Sequence, residues 1–462
     1  MSTDDLICVS PIDGREYCRR PVATGNKIEA ALERARAAQR HWAETALEER
    51  SRLILAFLEA LSAQNDEIIP ELAWQMGRPV RYGGELGSLR ERVEAMVEVA
   101  AAALMAQSPP ARSGFTRTVR RAPAGLVLVI APWNYPYLTA VNTIVPALLA
   151  GNAVILKHSA QTLLAGERFA QAFAQADLPE GLFANLALSH DNVARLLGLG
   201  QIDHATFTGS VAGGRAIQRA AAESFTSLTL ELGGKDAAYV RADADIEQSV
   251  VSLVDGTFYN SGQSCCGIER IYVDRGVWAP FLEGFIETTR QYRLGNPLDP
   301  STTLGPMAGV RFADLVREHV AEALAKGARA CIAPDEYPES RTGTAHLMPQ
   351  VLIDVDHGMR VMREESFGPV VGIMPVDTDE QAVTLMNDSH YGLTASIWTS
   401  DPVAAEQLAP RIEAGTVFMN RCDYIDPALA WTGVKDSGRG ASLGWYGFDA
   451  VTRPRSYHFR EL

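Results

Sequence analysis

The stretch from residue 125 to 232 constrains the fold most, because short runs of buried-strand character alternate there with helical segments. Gly125-Leu-Val-Leu-Val-Ile-Ala131 is continuously apolar and rich in β-branched residues. A strand reads this way when both of its faces are covered, as in a parallel sheet. A Pro-bearing turn, a helix over 137–149 and a second such strand at 153–157 follow. Helices at 161–176, 191–197 and 210–222 then alternate with strands at 182–188, 204–207 and 227–232. Parallel neighbours need crossover connections, so this alternation predicts an α/β class with a doubly wound sheet.

A second α/β series runs from Ile246 to about Asn420, with strands expected at 270–273, 330–333 and 370–375. No Ser/Gly-rich linker divides the two series, which predicts two packed α/β domains with a cleft between them. Upstream, residues 26–61, 66–76 and 86–105 carry apolar positions at helical spacing. Residues 115–121 and the tail at 453–459 alternate like strands.

Composition narrows the function. The net charge of −14, from 56 acidic and 42 basic residues, disfavours nucleic acid or an anionic membrane as a partner. The most apolar stretch, 141–156, is interrupted by Pro146, Gly151 and Asn152 and is too short to span a bilayer. The start of the sequence lacks the basic and apolar regions of a signal peptide. The six cysteines (Cys8, Cys18, Cys265, Cys266, Cys331 and Cys422) are scattered apart from the adjacent pair. They form neither a disulfide framework nor a zinc pattern, and no His-x-x-x-His occurs, so a reducing, cytoplasmic setting and no metal site are expected.

Four segments have the composition of a reactive site. Asn260-Ser-Gly-Gln-Ser-Cys265-Cys266-Gly places a thiol in a Gly-bearing loop ahead of a strand, where it can reach a cleft. Glu231, at a strand end before Gly233-Gly234-Lys235, is placed for general-base work. Phe207-Thr-Gly209-Ser210-Val-Ala-Gly-Gly214 joins a strand to a helix, as a pyrophosphate site requires. Asn134, in Pro132-Trp133-Asn134-Tyr135-Pro136, carries an amide that suits an oxyanion. Each segment also has a plainer reading. These are a structural cysteine pair, a solvated or lysine-paired glutamate, a tightly packed turn, and an asparagine capping the next helix.

Taken in order, these segments resemble the aldehyde dehydrogenase superfamily over nearly the whole chain. Glu71-Leu-Ala-Trp-Gln-Met-Gly77-Arg78-Pro79, Glu364-Glu365-Ser-Phe367-Gly-Pro and Gly433-Val-Lys435-Asp-Ser437-Gly438 complete the series, and Glu231 lies 34 residues before Cys265. The resemblance implies NAD(P)-dependent oxidation of an aldehyde to a carboxylic acid. Cys265 would be the nucleophile, Asn134 and the Cys265 N–H the oxyanion donors, and Glu231 the base that hydrolyses the thioester. Trp133, Lys157, Ala160, Gly209, Ser210, Leu232, Glu365 and Phe367 match cofactor positions. Tyr135, Leu138, Thr139 and Asn142 match the substrate tunnel, and Arg421 stands across its mouth.

The resemblance further implies a cofactor-binding domain at 1–106 and 124–232, a catalytic domain at 233–433, and a small β oligomerisation element from 107–123 and 434–462. The tail strand would pair with a partner subunit in a homodimer or homotetramer. Several departures shape these expectations. Ala160 stands where NAD-preferring members carry a glutamate on the ribose 2′-hydroxyl, so NADP acceptance is expected beside NAD. Asn142 stands where members that hold a succinate-type carboxylate carry arginine, which points away from succinic semialdehyde and toward a small or moderately polar aldehyde. Ala441-Ser442 replaces a common Arg-Glu, in a region expected to concern packing and assembly. Two rival readings are a CoA-acylating member, disfavoured by the presence of Glu231, and a silent scaffold member, disfavoured by the intact Asn134, Glu231 and Cys265.

Overall fold

The structure, a computed structural model, describes residues 5–461. An antiparallel hairpin of β1 (Leu6–Val9) and β2 (Glu16–Arg20) comes first. Its strands are too short for alternation to reveal. The helical stretch at 26–61 is two helices, α1 (Gly25–Trp42) and α2 (Leu47–Ser62), and no Gly or Pro marks the break between them. After α3 (Asn65–Met76) the chain turns at Gly77, whose φ of 84° suits glycine and whose added Cβ would meet the Pro306 carbonyl at 2.2 Å. Then α4 (Leu86–Ala103) buries Leu89, Val93, Met96 and Ala100 along one face.

Past β3 (Phe115–Pro123) lies the first sheet: β4 (Leu126–Ile130), β5 (Ala153–Lys157), β6 (Phe183–Asn185), β7 (His204–Thr208) and β8 (Ser227–Glu231). They run parallel in the order β8-β7-β4-β5-β6, with β4 and β5 buried along their whole length. The connecting helices are α5 (Pro136–Leu149), α6 (Leu163–Gln175), α7 (His190–Gly198) and α8 (Val211–Ala220). β6 is shorter than its apolar run because it is the sheet's edge and has one neighbour only.

The second sheet holds β9 (Asp236–Val240), β10 (Ile268–Asp274), β11 (Arg329–Ala330), β12 (Gln350–Ile353), β13 (Val370–Val376), β14 (Thr394–Trp398) and β15 (Thr416–Met419). Its order is β11-β12-β13-β10-β9-β14-β15, parallel except for the edge strand β11. The strand expected at 330–333 shrinks to that antiparallel stub. The chain passes from β8 to β9 between Glu231 and Asp236, so both sheets meet at Glu231. Helix α9 (Ile246–Phe258) leads from β9 into the Cys265 loop, and β10 follows.

The segment expected to form the peripheral β element at 434–462 is divided. β16 (Gly438–Arg439) returns to the first sheet and pairs antiparallel with β8, while β17 (Thr452–Arg460) pairs along its full length with β3. The tail strand thus has its partner within the chain. The first sheet's core also includes Cys266, Leu443 and Phe448, which ties the Cys265 loop and the late chain to that domain. No helix among the described residues is long and apolar enough to cross a membrane.

Candidate active site

The Cys265 loop is held by buried polar contacts rather than by regular structure. Asn260 and Ser261 both take left-handed backbone conformations, with φ of 52° and 58°. Ser261 Oγ donates to the Gly305 carbonyl at 2.8 Å. Gln263 donates from Nε2 to the Asn260 carbonyl, and its Oε1 accepts the Ala308 N–H at 2.7 Å. Asn134 is buried, and its Nδ2 donates to the Gln263 carbonyl at 3.1 Å, which fixes its amide beside the loop. The Cys265 N–H has no protein acceptor among the described residues.

The two cysteines differ sharply. Cys265 is partly exposed and lines a cavity of about 530 Å³. Cys266 is buried, and its thiol donates to Asp423 Oδ1 at 3.1 Å, an oxygen that also takes the Ser264 hydroxyl at 2.7 Å. The neighbouring Cys265 thiol, burial and the Asp423 charge push Cys266 well above the ordinary thiol range. It therefore stays protonated, although it also borders the cavity.

One ion pair fastens the cavity wall to the loop. Arg78 and Glu85 are both almost wholly buried, and Arg78 Nη1 meets Glu85 Oε1 at 2.5 Å. Arg78 also donates to the Asn134 carbonyl (2.6 Å) and to Asn260 Oδ1 (3.3 Å), and its guanidinium lies over the Tyr135 ring. The other Glu85 oxygen accepts the Tyr137 and Leu138 N–H groups (3.1 and 2.9 Å), so Glu85 caps α5 across space. Asn134 therefore does not cap that helix. Glu85 (φ 68°) and Asp423 (φ 45°) join Asn260 and Ser261 in left-handed backbone, so strained residues gather around this one cavity.

Glu231 is buried at the sheet junction. Lys235, an available partner in sequence, pairs with Glu269 instead. The Glu231 oxygens accept the Ser442 hydroxyl at 2.5 Å and the Thr208 hydroxyl at 3.2 Å. Burial raises its carboxyl above the ordinary range, and the two hydroxyls and the Arg92 charge hold that rise back. Ser442, expected to matter for assembly, thus touches the carboxylate at the junction.

The cofactor-side residues gather along the carboxyl edge of the first sheet. Lys157 ends β5 and is buried, its ammonium makes no protein hydrogen bond among the described residues, and burial lowers its pKa. Ser210 caps α8 through the Gly213 N–H, and Gly209 and Gly213 have no room for a Cβ against the Phe207 ring. Leu232 packs on Gly214 of the same helix. Glu365 accepts the Gly234 N–H at 3.0 Å, and burial raises its carboxyl. Trp133 meets Phe367 edge-on at 5.5 Å. Ala160 opens a single 3₁₀ turn capped by Ser159 just past Lys157, and no carboxylate occupies that place. An unpaired lysine and a capped helix N-terminus along the first sheet's edge, with the Glu365 carboxyl facing them from the second domain's side, fit a dinucleotide.

The cavity is walled by Tyr135, Leu138 and Thr139, as expected, and also by Tyr82, Arg92, Asp255, Tyr259 and Tyr424. Asn142 and Arg421 do not line it. Asn142 is buried behind the wall and accepts from Arg92. Arg421 stacks on the Tyr424 ring and makes no salt bridge to Asp423. Sequence reasoning missed Glu85, Arg92 and Asp423. Only Arg92 carried a signal, as a charge at helical spacing among Leu89, Val93 and Met96.

A nucleotide-type parallel sheet joined to a second α/β domain, with a thiol facing the cleft between them, defines a dinucleotide-linked enzyme of the α/β class. The chain belongs to the aldehyde dehydrogenase family, whose model matches residues 1–457. It is 33% identical over 442 residues to an NAD(P)+ succinate semialdehyde dehydrogenase of Escherichia coli, covering 96% of this chain and 95% of that one. Betaine aldehyde dehydrogenase 2 of Rhizobium meliloti is 33% identical over 454 residues, covering 98% and 93%. The solved succinic semialdehyde dehydrogenase of Streptococcus pyogenes, in complex with NADP+, superposes with a TM-score of 0.92 at 27% identity, covering 98% and 99%. The protein is an NAD(P)-dependent oxidoreductase acting on aldehydes.

Proposed function

We propose that Cys265 carries the reaction as its nucleophile and that the acyl group leaves by hydrolysis. The carrying observation is the contrast between the two thiols, with Cys265 open to the cavity and Cys266 locked on Asp423. The Cys265 sulfur adds to the aldehyde carbon. The oxygen that gains charge is met by Asn134 Nδ2 and the uncommitted Cys265 N–H, donors already fixed before reaction. When bound, NAD(P)+ supplies the hydride acceptor that turns the thiohemiacetal into a thioester. Lys157 and Glu365 would hold its ribose groups, and the α8 N-terminus behind Gly209 and Ser210 would hold its pyrophosphate. Glu231 then takes a proton from water as that water attacks the thioester carbon, the C–S bond breaks, the carboxylic acid is released and Cys265 leaves as its thiolate; the raised carboxyl pKa suits this task.

Ala160 leaves Lys157 free to meet a 2′-phosphate, so NADP serves beside NAD. The two-stranded ribbon of β3 and β17 exposes Phe459, and Trp445 and Tyr446 of the helix before β17 are also more than half exposed, which supports a homodimer or homotetramer. Free cysteines alone suit a reducing, cytoplasmic setting. The test is a panel of aldehydes assayed with NAD and NADP in the absence of CoA. Wild-type protein and the Cys266→Ala variant turn over, whereas Cys265→Ala does not. Turnover by Cys265→Ala, or a strict need for CoA, overturns the reading.

A further inference from the structure

Asn142 stands where an arginine would meet a substrate carboxylate, yet the structure brings an arginine to the same place from another helix. Arg92 of α4 is 7% exposed and lines the cavity that holds Cys265. Its Nη1 donates to the Leu138 carbonyl and to Asn142 Oδ1, both at 3.0 Å. Those contacts fix the guanidinium, and no carboxylate lies within ion-pair distance of Arg92 among the described residues, the Glu85 and Glu231 charges acting on it only from farther away.

The remaining N–H groups, on Nε and Nη2, have no protein acceptor, and neither nitrogen is among the buried atoms left without a partner. They therefore open onto the cavity. Beside them Asn142 Nδ2 is fully buried and has no acceptor. A buried cation without a counter-ion is costly, and a site of this kind is completed by an anion. The other charged groups on the wall are differently committed. Arg78 is neutralised by Glu85, Glu91 takes the Tyr424 hydroxyl, and Asp423 takes the Ser264 and Cys266 donors. Asp255, from α9, is raised by burial and by the Asp423 charge.

The geometry points to Arg92 as the group that selects the substrate, an aldehyde bearing a carboxylate at its far end, received by the Nε–Nη2 edge of the guanidinium. This assignment rests on the reading of Cys265 as nucleophile only in fixing which end of the substrate reacts. The planar fork matches a carboxylate in two-point contact, which an ammonium on a flexible stem does not reproduce.

The test compares succinic semialdehyde with butanal, and glutaric semialdehyde with pentanal, in wild type, Arg92→Leu and Arg92→Lys. In wild type kcat/KM favours the carboxylated member of each pair by about 10- to 100-fold, the range of a hydrogen bond to a charged group. Arg92→Leu collapses that ratio toward one, and Arg92→Lys restores part of it. Calorimetric titration of succinate reads the site without turnover, with binding to wild type expected to be at least about tenfold tighter than to the Leu variant. Equal ratios in wild type and Arg92→Leu, or a preference of wild type for a trimethylammonium aldehyde, overturn the proposal. If succinate binds as expected while no aldehyde is oxidised, the Cys265 reading falls and the Arg92 site stands.

Discussion

Removing the Ser442 hydroxyl tests the base directly. Glu231 accepts that hydroxyl at 2.5 Å and the Thr208 hydroxyl at 3.2 Å, inside a site whose burial already raises the carboxyl. Both bonds favour the ionised form. A hydrogen bond to a charged group contributes about 1.5–3 kcal/mol, and one pKa unit corresponds to about 1.4 kcal/mol. Ser442→Ala therefore raises the Glu231 pKa further. A general base works deprotonated, so activity is lost as pH falls through this pKa, and raising it moves the acid limb of kcat to higher pH. The assay is kcat against pH, combined with the rapid burst of reduced nicotinamide that precedes hydrolysis. The limb shifts upward in Ser442→Ala, shifts less in Thr208→Val with its longer bond, and stays near wild type in Ser442→Thr. The burst amplitude is unchanged, because the thiol chemistry precedes the base's step. An acid limb that stays in place, or moves to lower pH, refutes the argument.

Ala160→Glu places a carboxylate beside Lys157, and the ratio of kcat/KM for NADP to that for NAD falls by at least about tenfold, as repulsion of a 2′-phosphate requires. An unchanged ratio removes Ala160 from cofactor choice. Glu85→Ala strands the buried Arg78 and uncaps α5, so stability in denaturant falls by about 3–5 kcal/mol, and a loss below about 1 kcal/mol contradicts the fastening role. Light scattering returns a multiple of the 50.1 kDa chain mass, and a monomer excludes the proposed assembly.

The parallel strands of the first sheet were legible because β4 and β5 are covered on both faces, and such burial writes itself as unbroken apolar sequence. The β1–β2 hairpin left no comparable trace, since its short strands are only partly covered. The break between α1 and α2 was equally silent, because both flanks keep helical composition. Cys265, Asn134 and Glu231 were found through ordered motifs, not through any property of the single residues. Arg78 sat inside one of those motifs, but its hold on Asn134 and Glu85 joins segments distant in sequence, which no spacing encodes. Ser442 shows the same limit: its neighbours in sequence suggest packing, while its neighbour in space is the Glu231 carboxylate.

Glu85 joins two structures that could otherwise vary separately. One of its oxygens holds Arg78, and through it the backbone around Asn134 and Asn260, while the other holds the first turn of α5. A shift of α5 to widen the cavity would therefore pull on the backbone around Asn134 and the Cys265 loop. Arg92 of α4 meets Asn142 of α5 within that same fastened frame.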